Sequence, residues 1–267
     1  MGRCPGRSHG HKAPLGLARR ASVVLALMTP STSPPAPEAP QPDAPPSVST
    51  LRVSESFLSI QGEGPSAGTP AHFLRLQGCD VGCAWCDSKY TWDAGGGREV
   101  GIDLALDDLF ALGAAPLLVI TGGEPLEHPG IAGLVNAALA RWTSVEIETS
   151  GLLPPPVRHE RLRYNVSPKL PSVTERWKDT WRESAAWLAD PNATFKLVVG
   201  DAPDLDEALR LIAEHRLPRE RVMLMPEGLT DEALRVRARE LAEACKRHGL
   251  RMSPRLHIWM WGAKRGV

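Results

Sequence analysis

The chain has 267 residues, 31 Lys and Arg against 31 Asp and Glu, and 42% hydrophobic residues. That length allows one sizeable domain or two small ones. The balanced charge excludes the strongly basic surface of a nucleic-acid binder, and no apolar run approaches the roughly 20 residues of a membrane span.

The first 47 residues differ from the rest. They hold ten of the 25 prolines, and Pro30–Pro46 is mostly Pro, Ala and Ser. Such a segment buries too little apolar surface to offset its ordering entropy, so 1–47 is expected to be a disordered tail. Arg19 and Arg20 ahead of Ala21–Met28 faintly resemble a secretory signal, but the apolar stretch is short and no small-residue cleavage site follows directly. A start codon placed too far upstream, with Met28 the true start, is the other reading. Residues 48–267 are expected to form the functional domain.

From Leu51 short apolar runs alternate with longer amphipathic ones. Strands are expected at His72–Leu76, Leu117–Thr121, Val145–Thr149, Leu162–Val166, Thr194–Val199 and Val222–Met225. Helices are expected at Leu104–Leu112, Ile131–Trp142, Glu175–Leu188, Leu205–His215 and Asp231–His248. Strand and helix in alternation predict an α/β fold with parallel strands and helical crossovers. About six repeats are too few for a closed eightfold barrel, so a partial (βα)6 barrel is expected. In parallel α/β folds functional groups gather at the carboxyl ends of strands. Cys79–Cys86, Gly122–Pro125, Glu148–Gly151 and Ser167–Lys169 all follow or end such strands, and Lys196 lies within one.

Cysteines stand at 4, 79, 83, 86 and 245. An odd, clustered set is a poor disulfide framework and suits a metal or cluster site in a reducing cytosol. The loop Gly78-Cys79-Asp80-Val81-Gly82-Cys83-Ala84-Trp85-Cys86-Asp87 gives C-x3-C-x2-C spacing. Three thiolates can hold three irons of a 4Fe–4S cubane and leave the fourth open to a ligand. A structural zinc is the alternative, but zinc takes four protein ligands and no nearby Cys or His completes the set. Cys245, inside a helical pattern, is expected to be an inert buried thiol. Trp177 and Trp181, at i,i+4 spacing, are expected to be packing residues.

The cysteine spacing, with an aromatic before the last Cys, resembles the radical S-adenosylmethionine superfamily. Thr121-Gly122-Gly123-Glu124-Pro125 resembles its glycine-rich motif, which contacts the methionine amino group. The resemblance narrows further. Glu55–Pro65, Phe73–Cys79, Trp85–Trp92, Glu148–Gly151, Val166–Lys169, Phe195–Val199 and Leu256–Gly262 together resemble the 7-carboxy-7-deazaguanine synthases of the queuosine (deazapurine) pathway. The match runs from Ser54 to Val267.

This resemblance implies a lyase that converts 6-carboxy-5,6,7,8-tetrahydropterin to 7-carboxy-7-deazaguanine with loss of ammonia. A 5′-deoxyadenosyl radical would take the hydrogen from C6 and later return it, regenerating the cofactor. The implied cofactors are a 4Fe–4S cluster on Cys79, Cys83 and Cys86, S-adenosylmethionine, and Mg²⁺ on Ser88. A hydroxyl is a hard but weak ligand, so substrate and water would complete that shell; a helix N-cap is the alternative role for Ser88. Ile60, Gln61, Gly62, Glu63, Arg75, Thr121 and His257 would meet the substrate, Arg75 as a fork for its carboxylate. Trp85, Cys86, Asp87, Gly123, Ser167, Pro168 and Lys169 would hold S-adenosylmethionine, with Glu148 and Lys196 as further candidates.

A flavodoxin or ferredoxin electron donor, a homodimer and a cytoplasmic location are expected, with no nucleic-acid or membrane partner. The rival readings are a glycyl-radical activating enzyme acting on a protein and a non-catalytic iron–sulfur or zinc module. Two departures stand out. Met225-Pro226-Glu227 occupies a strand where family members often carry Gln. Some members end soon after the histidine and use the terminal carboxylate on the substrate; ten residues follow His257 here, so no such role is assigned to Val267.

Overall fold

The computed structural model describes residues 50–267. The expectations for 1–47, including the alternative start at Met28, lie outside the described residues. In chain order the elements are β1 Thr50–Ile60, β2 Pro70–Leu76, β3 Arg98–Gly101, α1 Ile102–Phe110, β4 Leu117–Gly122, α2 Ile131–Leu139, β5 Ser144–Thr149 and β6 Leu162–Val166. Then come α3 Trp177–Trp181, α4 Ser184–Leu188, β7 Ala193–Val199, α5 Ala202–Glu214, β8 Val222–Pro226, α6 Asp231–His248, β9 Arg251–Met252 and α7 Leu256–Trp261.

All nine strands join one sheet in the order β3-β1-β2-β4-β5-β6-β7-β8-β9. The expected strands are β2, β4, β5, β6, β7 and β8, side by side in sequence order and all parallel. β9 extends the parallel run, and β1 pairs antiparallel with both β2 and β3. β1 and β9 escape a hydrophobic pattern for physical reasons. The middle of β1 is Ser54-Glu55-Ser56, half-buried and polar, and β9 has only two residues.

Helices cover the crossovers except between β5 and β6. There Pro154-Pro155-Pro156 lacks the N–H donors a helix needs. The helix expected over 175–188 is two five-residue helices. At the break Ser184 Oγ donates to the Trp181 carbonyl, the kind of back-bond that competes with helix continuation. α6 is a clean helix: Thr230 Oγ1 accepts from Ala233 N at 3.3 Å, and Gly249 closes it in the left-handed conformation.

Strand periodicity sorts the side chains onto two faces. Leu118, Ile120, Val145, Ile147, Tyr164, Phe195 and Leu197 join the helices in one continuous core. On the opposite face, register sets Arg75 beside Thr121, Glu146 beside Arg163 and Glu148 beside Asn165. Lys196, two residues past Thr194 on β7, shares that face. One side of the sheet is therefore an ordinary apolar core, and the other carries charge inside the protein. Glu146 and Asn165 are fully buried, and Lys196 nearly so. Burying charge is tolerable only when it is paired and hydrogen-bonded, which ties these residues together. Among the described residues no helix is long and apolar enough to cross a membrane.

Candidate active site

The cysteine loop leaves β2 and is fastened along its length. Gly78 N donates to Thr91 O at 2.7 Å, Ala84 N to Val173 O at 2.8 Å, and Thr174 Oγ1 to Val81 O at 2.6 Å. Gly123, after β4, packs directly under it. A Cβ there would lie 1.8 Å from Gly78 O, so only glycine fits. Glu124 then acts as a buried clasp. Its carboxylate accepts from Leu126 N at 3.1 Å, Thr149 Oγ1 at 2.6 Å, Ser150 N at 2.7 Å and Ser150 Oγ. The Gly-Gly-Glu-Pro segment thus ties the ends of β4 and β5 to the cysteine loop.

Cys79, Cys83 and Cys86 are free thiols lining one cavity. Burial pushes the Cys79 thiol up to about 11 and raises Cys83 as well. A bare thiolate at Cys79 or Cys83 is unfavourable, and positive iron would reverse that balance. Among the described residues no group of three His, Cys, Asp or Glu side chains is gathered tightly enough for a single metal ion. A cubane instead takes each thiolate on a different iron, so its ligands stand further apart. With three thiolates and no further Cys or His in the lining, the donor set fits a cluster with one open iron better than a four-coordinate zinc.

The same cavity, about 170 Å³, is lined by Trp85, Asp87, Ser88, Gly123, Ser167, Lys169 and Lys196. Pro168 is buried between Ser167 and Lys169 and is not part of the lining. Lys169 Nζ donates to Ser167 Oγ at 3.2 Å. A second cavity, about 220 Å³, is lined by Ile60, Gln61, Gly62, Arg75, His257 and the C-terminal residues 263–267. Glu63, Asp87, Ser88, Thr121 and Glu148 line both cavities and form their common wall.

Electrostatics concentrate in that wall. Lys196 Nζ donates to Glu63 Oε2 at 2.5 Å and to Glu148 Oε2 at 2.7 Å. Burial pushes the Glu63 carboxyl up, but Lys196 and Arg255 overcome this and hold it well below the usual carboxylate range. Glu148 keeps a raised pKa, from burial and from the Glu63 charge, although Lys196 opposes it. His257 sits 3.7 Å from Glu63 Oε1, yet burial lowers its pKa and favours neutral imidazole.

Gln61 is buried, and its amide is committed. Nε2 donates to Glu146 Oε2 and Glu148 Oε1, both at 3.3 Å, and Oε1 accepts from Glu63 N at 3.2 Å. Arg75 Nε is bound to Glu55 Oε1 at 2.6 Å, and Tyr90 donates to the same oxygen at 2.7 Å. Ser88 occupies the N-cap position of the short 3-10 turn Lys89–Thr91 but makes no cap hydrogen bond. Its hydroxyl lies 3.3 Å from Asp87 Oδ1 and 3.7 Å from Cys86 Sγ.

Every expected site residue except Pro168 lines one of the two cavities. Trp181 is buried and stacks on His215, as a packing residue does. The buried Cys245 thiol donates to Arg251 O. Sequence reading missed Glu146, Asn165 and Arg255. The first two carried a signal: Val145-Glu146-Ile147-Glu148 and Arg163-Tyr164-Asn165 alternate polar and apolar, which places polar groups on one face. The residues after His257 were also passed over, yet 263–267 border the second cavity.

No protein-family model matches the chain. A 7-carboxy-7-deazaguanine synthase of Pyrobaculum aerophilum is 40% identical over 220 residues, 81% of this chain and 97% of the relative. The Escherichia coli 7-carboxy-7-deazaguanine synthase is 33% identical over 233 residues, 78% of this chain and 97% of its own. The crystal structure of QueE from Escherichia coli superposes with TM-score 0.57 at 28% identity, over 76% of this chain and 93% of that one. Streptococcus suis SuiB bound to precursor peptide SuiA gives TM-score 0.50 at 11% identity, over 67% of this chain and 47% of that one, a likeness of fold alone. Identity at this level over nearly the whole length of the relatives, on a chain whose motif blocks converge on two adjoining cavities, shows that this chain belongs to the 7-carboxy-7-deazaguanine synthase family.

Proposed function

We propose that this chain converts 6-carboxy-5,6,7,8-tetrahydropterin to 7-carboxy-7-deazaguanine with release of ammonia, and that the reaction takes place across the wall between the two cavities. The carrying observation is that shared wall. The cysteine loop lies on one side, and Gln61, Gly62, Arg75 and His257 on the other. The sheet is read as a partial barrel whose charged face is its interior.

Cys79, Cys83 and Cys86 would hold the 4Fe–4S cluster; Trp85, Asp87, Gly123, Ser167 and Lys169 would seat S-adenosylmethionine beside it. Pro168 shapes that seat from behind. When bound, the pair would supply the radical chemistry for taking hydrogen from C6 of the pterin. Ser88 would offer its hydroxyl oxygen to Mg²⁺ while its proton goes to Asp87 Oδ1, and the missing cap bond supports that role over a helix cap.

On the substrate side, Arg75 is set at the end of β2 by Glu55 and meets the pterin carboxylate with its terminal nitrogens. Glu63, held ionised by Lys196, accepts from the pterin's N–H edge. Neutral His257 packs against Gly62 and closes the same edge. Gln61 works through the backbone and through Glu148, because its amide is already engaged. Thr121 stands in the wall itself. Ile60 and the stacked Phe57–Phe73 pair, centroids 4.8 Å apart, supply apolar surface. Residues 1–47 are read as dispensable for this chemistry, and 48–267 as the radical S-adenosylmethionine catalytic domain.

A flavodoxin or ferredoxin donor and a reducing cytoplasm belong to this reading. Exposed Trp259, Met260 and Trp261 give apolar surface for a second copy of the chain. The testing experiment is anaerobic reconstitution followed by turnover of the tetrahydropterin with S-adenosylmethionine, reductant and Mg²⁺. Formation of 7-carboxy-7-deazaguanine and ammonia in equal amounts is expected. A brown, cofactor-cleaving enzyme that leaves this pterin untouched would overturn the reading.

A further inference from the structure

Arg255 stands just before α7, its side chain only 6% exposed. Each guanidinium nitrogen goes to a different segment. Nε donates to Glu63 Oε1 at 3.1 Å, Nη1 to Gly228 O at 2.7 Å, and Nη2 to Asp87 Oδ2 at 2.5 Å. Glu63 lies in the loop after β1, Gly228 follows β8, and Asp87 sits directly after the last cysteine of the loop. A planar five-donor fork holds three acceptors in one fixed arrangement, which a single ammonium on a flexible stem cannot do.

The two carboxylates it joins are themselves committed on their other oxygens. Glu63 Oε2 accepts from Lys196, and Asp87 Oδ1 from Ser88. Both residues belong to the wall shared by the cavities. Arg255 lines the cofactor-side cavity but reaches the substrate-side loop. The backbone repeats the connection: Leu256 N donates to Gly62 O at 3.0 Å, and Gly64 N donates to Ser253 Oγ at 2.8 Å. The segment 253–257 is thus clamped to the loop carrying Glu63, and Arg255 carries that clamp across to Asp87.

We propose that Arg255 is a positioning residue that couples the substrate loop to the cysteine loop, fixing Glu63 relative to Asp87 so that a seated pterin is registered against the cofactor. This inference rests on the site assignment above. Misregistration costs rate steeply, on the order of a hundredfold for 1 Å. It should also let the cofactor be cleaved without a substrate in place to receive the radical.

The test uses reconstituted holoenzyme as wild type, Arg255→Lys and Arg255→Met. Iron content and melting temperature establish folding. The readouts are KM for the pterin, the ratio of free 5′-deoxyadenosine to product, and the change that pterin causes in the electron paramagnetic resonance spectrum of the reduced, S-adenosylmethionine-bound cluster. Arg255→Lys is expected to keep its cluster, raise KM and the uncoupled ratio at least roughly tenfold, and lose the pterin-induced spectral change. Wild-type values in Arg255→Lys for KM, ratio and spectrum would overturn the proposal, whatever the melting temperature does. If Arg255→Met fails to fold, the Lys variant decides alone. A wild-type enzyme that does not turn over the pterin refutes the functional reading instead, and so is told apart from failure of this one.

Discussion

Lys196 reaches Glu63 across the wall between the two cavities, Nζ to Oε2 at 2.5 Å, and its side chain is only 5% exposed. Removing the cation leaves Glu63 and Glu148 facing each other in a buried site. Breaking a buried pair by deleting one partner costs roughly 3–5 kcal/mol. Lys196→Met is expected to lose stability on that scale in denaturant melts. Adding Glu63→Gln should recover part of the loss, because one buried charge goes with it. A double variant no more stable than Lys196→Met would contradict the pairing.

The same pair sets a pH dependence. The Glu63 pKa is depressed in the folded chain, so its contribution is present above its ordinary value of 4.5 and is lost as pH falls through the folded value. Glu148 has the opposite sign: its raised pKa favours the folded state at low pH, and this fades as pH rises through the raised value. The melting temperature of wild type should therefore fall as pH drops below about 4.5, and Glu63→Gln should flatten that limb. Calorimetry of the two proteins across the acid range checks it; parallel curves would remove Glu63 from the account.

Much of the site was legible because the residues that make it are close in sequence. The cysteine loop, Gly-Gly-Glu-Pro and Gln61-Gly62-Glu63 are short runs whose spacing already carries chemistry. The strands β2 and β4–β8 were legible because their core faces are apolar. What escaped is long-range. Arg255 and Asp87 are 168 positions apart, and Gln61 and Glu146 are 85 apart, so neither contact has a local signature. β1 escaped because Ser54, Glu55 and Ser56 interrupt its apolar pattern at the point where Glu55 turns to Arg75.

Gly62 tests how tightly the substrate side is built. A Cβ at this position would lie 2.2 Å from His257 Nδ1. Gly62→Ala must therefore displace the imidazole. The kcat/KM for the pterin is expected to fall roughly a hundredfold if the ring moves by about 1 Å, with S-adenosylmethionine binding and iron content unchanged. An unchanged kcat/KM would take His257 out of the substrate site.

Glu124 is the clasp of the glycine-rich segment. Glu124→Ala leaves the Thr149 and Ser150 donors buried without their acceptor, at a cost of roughly 1–3 kcal/mol for each unsatisfied group. The variant should melt several degrees lower and lose cluster, because the loop under Cys79 loosens. Glu124→Gln keeps an acceptor and should be milder. Equal stability of all three proteins by thermal melts would show that the clasp is not needed.

Ser88 separates a cap from a ligand. Ser88→Ala is expected to keep its iron and cleave S-adenosylmethionine slowly, with little product and no response to Mg²⁺. Ser88→Thr retains the hydroxyl and should stay active. Wild-type turnover and an unchanged magnesium response in the Ala variant would place the ion elsewhere.

If the reaction runs across the shared wall, hydrogen must pass directly between the substrate's C6 and the cofactor's 5′ carbon. The most direct measurement uses 6-carboxy-tetrahydropterin deuterated at C6, incubated anaerobically with reconstituted enzyme, S-adenosylmethionine and reductant. Mass spectrometry of the recovered S-adenosylmethionine and 5′-deoxyadenosine should find deuterium at the 5′ position alongside 7-carboxy-7-deazaguanine. Product formed with no deuterium in either adenosyl species would contradict the account.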